Sequence, residues 1–324
     1  MPDRPLAVYT DLSDLDPAPG VALLESAGFE VRVLETHDPG EIAASAARAT
    51  ALLAGFAPID AALLARLPRL RIISVLSRGH DSIDVDAAAA RGIRVATVGD
   101  IATAEVATHT WALILAAVRR LDFFARRGRG WLERPVHGPR RLSELTLGLV
   151  GLGRIGAEVA EFAVGSVETV LGFDRPGRSV PGVTGTSLED LVARSDVVSI
   201  HLPLTRATSG LFDADLIGRM PRGSWLINVS RGGIVDARAL ADALDLGHLA
   251  GAALDVLGTE PPPAGDRLAE HPNVLLTPHV AYLSDATARD YILTQARNVV
   301  HWQRTGRPLE PPAIRCGVSP RGPR

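Results

Sequence analysis

Three glycines spaced as Gly151-Leu152-Gly153-Arg154-Ile155-Gly156 follow the apolar run Leu147 to Val150 and precede a helical pattern over Ala157 to Ala163. Few short segments constrain a fold as tightly. The first glycine allows a tight turn from strand to helix, the second lets a pyrophosphate approach the backbone, and the third lets the helix pack on the strand, with helix-end N–H groups facing the anion. About twenty residues on, Asp174 closes the next predicted strand, Thr169 to Phe173, where a carboxylate accepts hydrogen bonds from an adenosine ribose and repels a 2′-phosphate. The pattern predicts a dinucleotide site that takes NAD rather than NADP. Arg175, beside Asp174, is the one feature that argues for a phosphate instead.

The chain on either side of that turn alternates short β-rich runs with helical patterns. Before it come Leu6 to Thr10, Glu30 to Leu34, Ala51 to Ala54, Arg71 to Leu76 and Arg94 to Val98, separated by helical patterns such as Val21 to Ala27 and Glu41 to Arg48. From the turn onward, Leu147 to Val150, Thr169 to Phe173, Val197 to His201, Trp225 to Val229, Ala250 to Asp255 and Val274 to Thr277 make six strands. Such βαβ alternation predicts parallel sheets, and six strands suit a doubly wound one. An alanine-rich helix from about Ala104 to Arg120 suits a crossing element. Ser284 or Asp285 starts a last helix running to about Trp302, and Pro308, Pro311, Pro312, Pro320 and Pro323 mark a tail expected to be disordered.

A chain of 324 residues, 46% hydrophobic and 22% charged, is long enough for two domains with their own cores. Its formal net charge of -3 gives no bulk attraction to nucleic acid or to an anionic membrane, so neither is expected as a partner. The longest apolar run, Trp111 to Val118, is too short to span a bilayer, and Met1-Pro2-Asp3-Arg4 does not read as an export signal. The single cysteine, Cys316, excludes an intrachain disulfide, a CxxC pair and a cysteine zinc site. No metal is expected, and a reducing, cytoplasmic setting is. The absence of lysine excludes lysine Schiff bases, Walker-type phosphate loops and a lysine acid/base.

Several further segments occur in a telling order. Leu188-Glu189-Asp190-Leu191, Ser195-Asp196-Val197-Val198-Ser199 and His201-Leu202-Pro203-Leu204 come first. Asn228-Val229-Ser230-Arg231-Gly232-Gly233-Ile234-Val235-Asp236 follows, then Leu254-Asp255-Val256 with Glu260-Pro261, then Pro272-Asn273-Val274-Leu275-Leu276-Thr277-Pro278-His279. Through these, from about Arg71 to Ala281, the chain resembles the D-isomer-specific 2-hydroxyacid dehydrogenase family.

The resemblance implies an α/β architecture: a Rossmann-type doubly wound sheet, residues 101–285, inserted into a flavodoxin-like substrate domain. Residues 1–100 would form the first part of that domain, and residues 286–324 its completing helix and the tail. Arg231, Glu260 and His279 fall at the family's catalytic positions. Beside the glycine turn and Asp174, the cofactor would meet His201 and Pro203 at a strand end, Val229, Val106 against the nicotinamide, and Asp255 or its backbone at the carboxamide. Ser77-Arg78-Gly79-His80-Asp81-Ser82-Ile83-Asp84 matches the loop whose backbone amides grip the substrate carboxylate, Gly79 allowing close approach.

The catalytic triplet makes chemical sense on its own terms. Reducing a 2-keto acid needs a hydride, a proton for the developing alkoxide and an anchor for the carboxylate. His279 is a suitable acid because its charge changes near neutral pH, and Glu260 beside it would favour the imidazolium. Arg231 offers a planar fork for the carboxylate and polarises the carbonyl. Singly, each residue also has an ordinary structural or solvent-facing reading, and their shared place after strands of one sheet selects the functional one.

Arg78 stands where the family more often has a small or apolar residue. It either binds a second anionic group on the substrate or points to solvent. His80 likewise replaces an aromatic or apolar residue, and Thr108 replaces a glutamate. The function read from these residues is NAD-dependent interconversion of a small 2-keto acid and its D-2-hydroxy acid. Formate, phosphite and phosphoglycerate oxidation stay open, as does an NAD(H)-sensing, corepressor-like interaction protein. A homodimer is implied by the resemblance, with Ala104 to Arg120 and Arg126 to Arg141 as contact surfaces.

Overall fold

The β-rich runs from Leu6 to Val98 lie in one unit and the six strands from Leu147 onward in another. The computed structural model describes residues 4–12, 15–127, 134–175 and 177–309. The chain divides into a unit made of residues up to Ile101 together with the segment from Ser284 onward, and a second unit, Ala102–Leu283. Cys316, the prolines from Pro311 on and part of the Arg126 to Arg141 segment lie outside the described residues.

The first unit contains β1 (Leu6–Tyr9), β2 (Glu30–Val33), β3 (Ala49–Ala54), β4 (Ile72–Val75) and β5 (Arg94–Ala96) in the parallel order β2-β1-β3-β4-β5. This is the flavodoxin-like order. The helix Asp285–Thr305 belongs to this unit although it is last in sequence. Its buried amides explain why: Gln295 Nε2 donates to the carbonyls of Ala54 (3.1 Å) and Ser74 (2.8 Å), and Asn298 Nδ2 to that of Thr97 (2.8 Å). Ser284 caps it reciprocally with Thr287, and Gly306 stops it in the left-handed conformation, three residues beyond the expected end at Trp302.

The second unit holds β6 (Thr146–Val150), β7 (Thr169–Phe173), β8 (Thr184–Gly185), β9 (Val197–Ile200), β10 (Trp225–Asn228), β11 (Gly251–Leu254) and β12 (Val274–Leu276). They pair in the parallel order β12-β11-β10-β9-β6-β7-β8, so the strand order reverses beside β6. Among the described residues seven strands form where six are expected. The extra one, β8, is a two-residue, exposed edge strand with no apolar alternation to betray it.

Both faces of this sheet are covered, which is why β9, β10 and β11 are buried throughout. Leu147, Leu149, Trp225, Ile227 and Ala253 pack with the helices Thr103–Arg119 and Arg154–Ala163. Val150, Val198, Leu226, Ala252 and Leu254 pack on the other face with residues of Leu188–Arg194, Ala214–Gly218 and Ala237–Asp245. The period-two alternation fixes register and brings the carboxyl ends of β6, β9, β10, β11 and β12 to one edge, where ligands bind in such sheets. β9 and β10 end one residue earlier than the sequence suggests, leaving His201 and Val229 just past the strands.

Candidate active site

The glycine turn is built as a cradle. Gly151 adopts φ 103°, a conformation side chains disfavour, and a Cβ there would come within 2.8 Å of the His201 carbonyl oxygen. A Cβ on Gly156 would strike the Gly151 carbonyl, whereas around Gly153 the space is open. Gly153 caps the helix Arg154–Ala163 without a side-chain hydrogen bond, so the first-turn N–H groups of that helix are not satisfied by its cap. Open space at the second glycine and N–H groups at a helix start are what a pyrophosphate requires, and the residues present fit one.

Asp174 follows β7 directly. Its Oδ2 accepts from Leu152 N (2.8 Å), inside the turn, and its Oδ1 from Arg175 N (2.6 Å). The guanidinium facing the carboxylate is not that of the neighbour flagged in the sequence: Arg178 Nε lies 4.0 Å from Oδ2. Val106, in the helix Thr103–Arg119, packs partly buried against the core, and Val229 is buried. Pro203 is exposed, its carbonyl accepting from Thr208 Oγ1 (2.6 Å). His201 Nε2 lies 3.0 Å from Ser199 Oγ, and burial pushes its imidazole down to about 4. It is therefore neutral at ordinary pH and unsuited to deliver a proton there.

Arg231 follows β10, Glu260 lies in the loop after β11, and His279 follows β12. Gly232 permits the first two loops to meet, because a Cβ there would collide with the backbone of Leu257 and Gly258. His279 Nδ1 and Glu260 Oε2 are 2.6 Å apart. Since a carboxylate only accepts, Nδ1 donates. Burial raises the Glu260 carboxyl, but the His279 hydrogen bond and charge, the Leu257 N–H (2.7 Å) and the Arg231 charge together hold it below its usual value. Arg231 Nη1 donates to the carbonyl of Ser230 (2.8 Å). An anionic acceptor, an imidazole with one nitrogen bound to it and a guanidinium therefore share one electrostatic environment.

His279 has φ 53°, a left-handed conformation that costs a residue other than glycine about 1–3 kcal/mol. Asp255, 1% exposed, holds it there. The Asp255 carbonyl accepts from His279 N (2.8 Å), Oδ1 from Val280 N and Oδ2 from Ala281 N (both 3.0 Å). The carboxylate expected at the carboxamide is thus engaged by the backbone after His279. Asp255 and Gly232 both stand in the sequence motifs, but neither the clamp's hydrogen bonds nor the close approach at Gly232 can be read from them.

Arg78 and Gly79 lie in the other unit, in the loop after β4. Ser77 Oγ donates to the Gly79 carbonyl over 2.5 Å. Arg78 makes an ion pair with Asp100, a partner the sequence reading missed. Its charge is compensated within its own unit rather than simply turned to solvent.

Residues 111–281 match the family described as "D-isomer specific 2-hydroxyacid dehydrogenase, NAD binding domain". The chain is 37% identical to D-3-phosphoglycerate dehydrogenase of Mycobacterium tuberculosis over 295 residues, 89% of this chain but 55% of that protein, so it spans about half the length of that relative. It is 39% identical to glyoxylate reductase of Aeropyrum pernix over 254 residues, 75% of this chain and 76% of that one. Among solved structures, the NADPH-dependent glyoxylate/hydroxypyruvate reductase of Sinorhizobium meliloti, in complex with NADP and malonate, superposes with a TM-score of 0.84 at 31% identity, covering 98% of this chain and 100% of that one.

Proposed function

The chain belongs to the D-isomer-specific 2-hydroxyacid dehydrogenase family, and from that premise we propose that it interconverts a small 2-keto acid and its D-2-hydroxy acid with NAD. The observation that carries this reading is the 2.6 Å His279–Glu260 hydrogen bond, at the sheet edge that also bears Arg231 and the glycine turn.

The first-turn N–H groups after Gly153 would hold the pyrophosphate, and Asp174 the adenosine ribose. When bound, the nicotinamide gives or takes the hydride. Arg231 anchors the substrate carboxylate with its fork and polarises the carbonyl next to it. His279, with Nδ1 committed to Glu260, exchanges the proton of the alkoxide through Nε2, and Glu260 steadies the charge that the imidazole carries before it donates. His201, neutral at ordinary pH, is not the proton donor. Within the first unit, the Asp100 pairing weakens Arg78 as a site for a second anion.

The names of the relatives favour glyoxylate and hydroxypyruvate as first substrates to try, with 3-phosphoglycerate as the alternative. A panel of glyoxylate, pyruvate, hydroxypyruvate and longer keto acids, each with NADH and NADPH, tests the reading. Turnover of at least one with NADH is expected. Tight NADH binding with no turnover and cofactor-dependent self-association would overturn it in favour of a sensor. The resemblance also supports a homodimer, which sedimentation of the purified chain checks directly, and the single cysteine supports a reducing, cytoplasmic setting. Among the described residues no helix is long and apolar enough to cross a membrane.

A further inference from the structure

Behind His279 a second imidazole is wired into the same segment. His109 lies midway along the helix Thr103–Arg119, its side chain 24% exposed, and its Nε2 is 3.1 Å from Thr277 Oγ1. The Thr277 hydroxyl donates to Asp255 Oδ1 over 2.6 Å, which uses its one proton. The bond from His109 must therefore run the other way, Nε2–H donating to the threonine oxygen. Asp255 accepts from that hydroxyl and from the N–H groups of Val280 and Ala281, and its carbonyl from His279 N.

We propose that His109 is a positioning residue for His279, acting through Thr277 and Asp255. The inference rests on the reading of His279 as the proton-exchanging residue. Thr277 is two residues before His279 and directly follows β12. With its hydroxyl fixed between a donor on the helix and a buried carboxylate, the oxygen that orients Asp255 has one placement. Asp255 in turn holds the left-handed turn from which the His279 ring projects toward Glu260. Without the donor, the hydroxyl is free to rotate away from Asp255 and the turn loses part of its restraint.

His109 touches neither Glu260 nor Arg231 in this chain of bonds, so its loss should act on turnover and leave cofactor binding alone. Losing one hydrogen bond's restraint predicts a kcat reduced roughly three- to tenfold in His109→Leu, with KM for NADH unchanged. His109→Gln retains an N–H donor of similar reach and is expected to restore most of the rate. Thr277→Val, which also deletes the bond to Asp255, should be at least as impaired as His109→Leu, and the double variant no worse than Thr277→Val, because both cut one chain.

Two controls separate the possible failures. If His279→Gln turns over normally, the underlying reading falls and this inference with it. If His279→Gln is impaired but His109→Leu matches the wild type, or the double variant multiplies the single losses, only the His109 role is overturned. Should His109→Leu fold poorly, the imidazole signals of His279 in the NMR spectrum of His109→Gln, assigned by their loss in His279→Gln, give a second readout. They are expected to stay at wild-type positions in His109→Gln and to move in Thr277→Val, and identical spectra in Thr277→Val and wild type would also overturn the proposal.

Discussion

His279 and Glu260, nineteen residues apart in the chain, are joined by a 2.6 Å hydrogen bond because β11 and β12 deliver their following loops to the same sheet edge. The glutamate is held ionised by that bond and by Arg231 against the pull of burial. Replacing His279 with alanine should lower kcat roughly 10²- to 10⁴-fold, the usual contribution of a positioned acid or base, with NADH affinity intact. Steady-state kinetics beside NADH titration by fluorescence checks both halves.

Glu260→Gln keeps an acceptor for Nδ1 but removes the charge that favours the imidazolium. Keto-acid reduction draws its proton from that ring, so kcat should fall roughly ten- to a hundredfold, the worth of one charged hydrogen bond, with NADH affinity intact. A kcat equal to that of the wild type would rule out the electrostatic role.

His201 makes a separate pH prediction. Its imidazole titrates at about 4 in the folded chain against an ordinary value near 6.5, so between those values the unfolded chain binds more protons. The stabilising contribution is fully present above about 6.5 and is lost as pH falls toward 4, by roughly 3 kcal/mol at ~1.4 kcal/mol per unit. Urea unfolding between pH 4 and 7 should show this loss, and His201→Gln should flatten it.

The parallel strands of the second sheet were legible because both of its faces are covered. Runs such as Trp225–Asn228 then read as unbroken apolar strands ended by polar residues. What was not legible lacks a periodic signature. Arg120 was expected as the last residue of a helix. Instead it breaks that helix at φ 55°, is buried to 2% exposure, and stacks its guanidinium 5.1 Å over Trp225 while donating to Asn273 Oδ1. Nothing in a run of arginines distinguishes one that finds an aromatic face and carbonyls from one in water. Asp100 beside Arg78 and Arg178 beside Asp174 were missed for the same reason, as ion pairs leave no spacing rule outside a helix.

Gly232 brings a prediction from sterics alone. A Cβ at this position meets the backbone of Leu257 and Gly258, which has no flexible end to swing aside. Gly232→Ala must therefore part the loop that carries Arg231 from the loop that carries Glu260. Turnover should fall and the substrate KM rise together, since Arg231 anchors and polarises the same molecule, while NADH affinity holds. An effect confined to NADH affinity would contradict this.

Cofactor choice turns on Asp174, whose carboxylate does two things at once. It accepts the Leu152 N–H within the glycine turn, and it sets a negative charge at the end of β7, where a 2′-phosphate would lie. Arg178, 4.0 Å away, partly offsets that charge. The wild type is expected to prefer NADH. Asp174→Ala should weaken NADH through the lost bond to Leu152 and relieve the repulsion of NADPH, shifting the NADH:NADPH ratio of kcat/KM roughly ten- to a hundredfold, the worth of one charged hydrogen bond. Arg178→Ala should move the ratio the other way, by removing the cation available to a 2′-phosphate. Measured side by side, opposite shifts support the two roles; a wild-type preference for NADPH would mean that Arg178 prevails over Asp174 at this strand end.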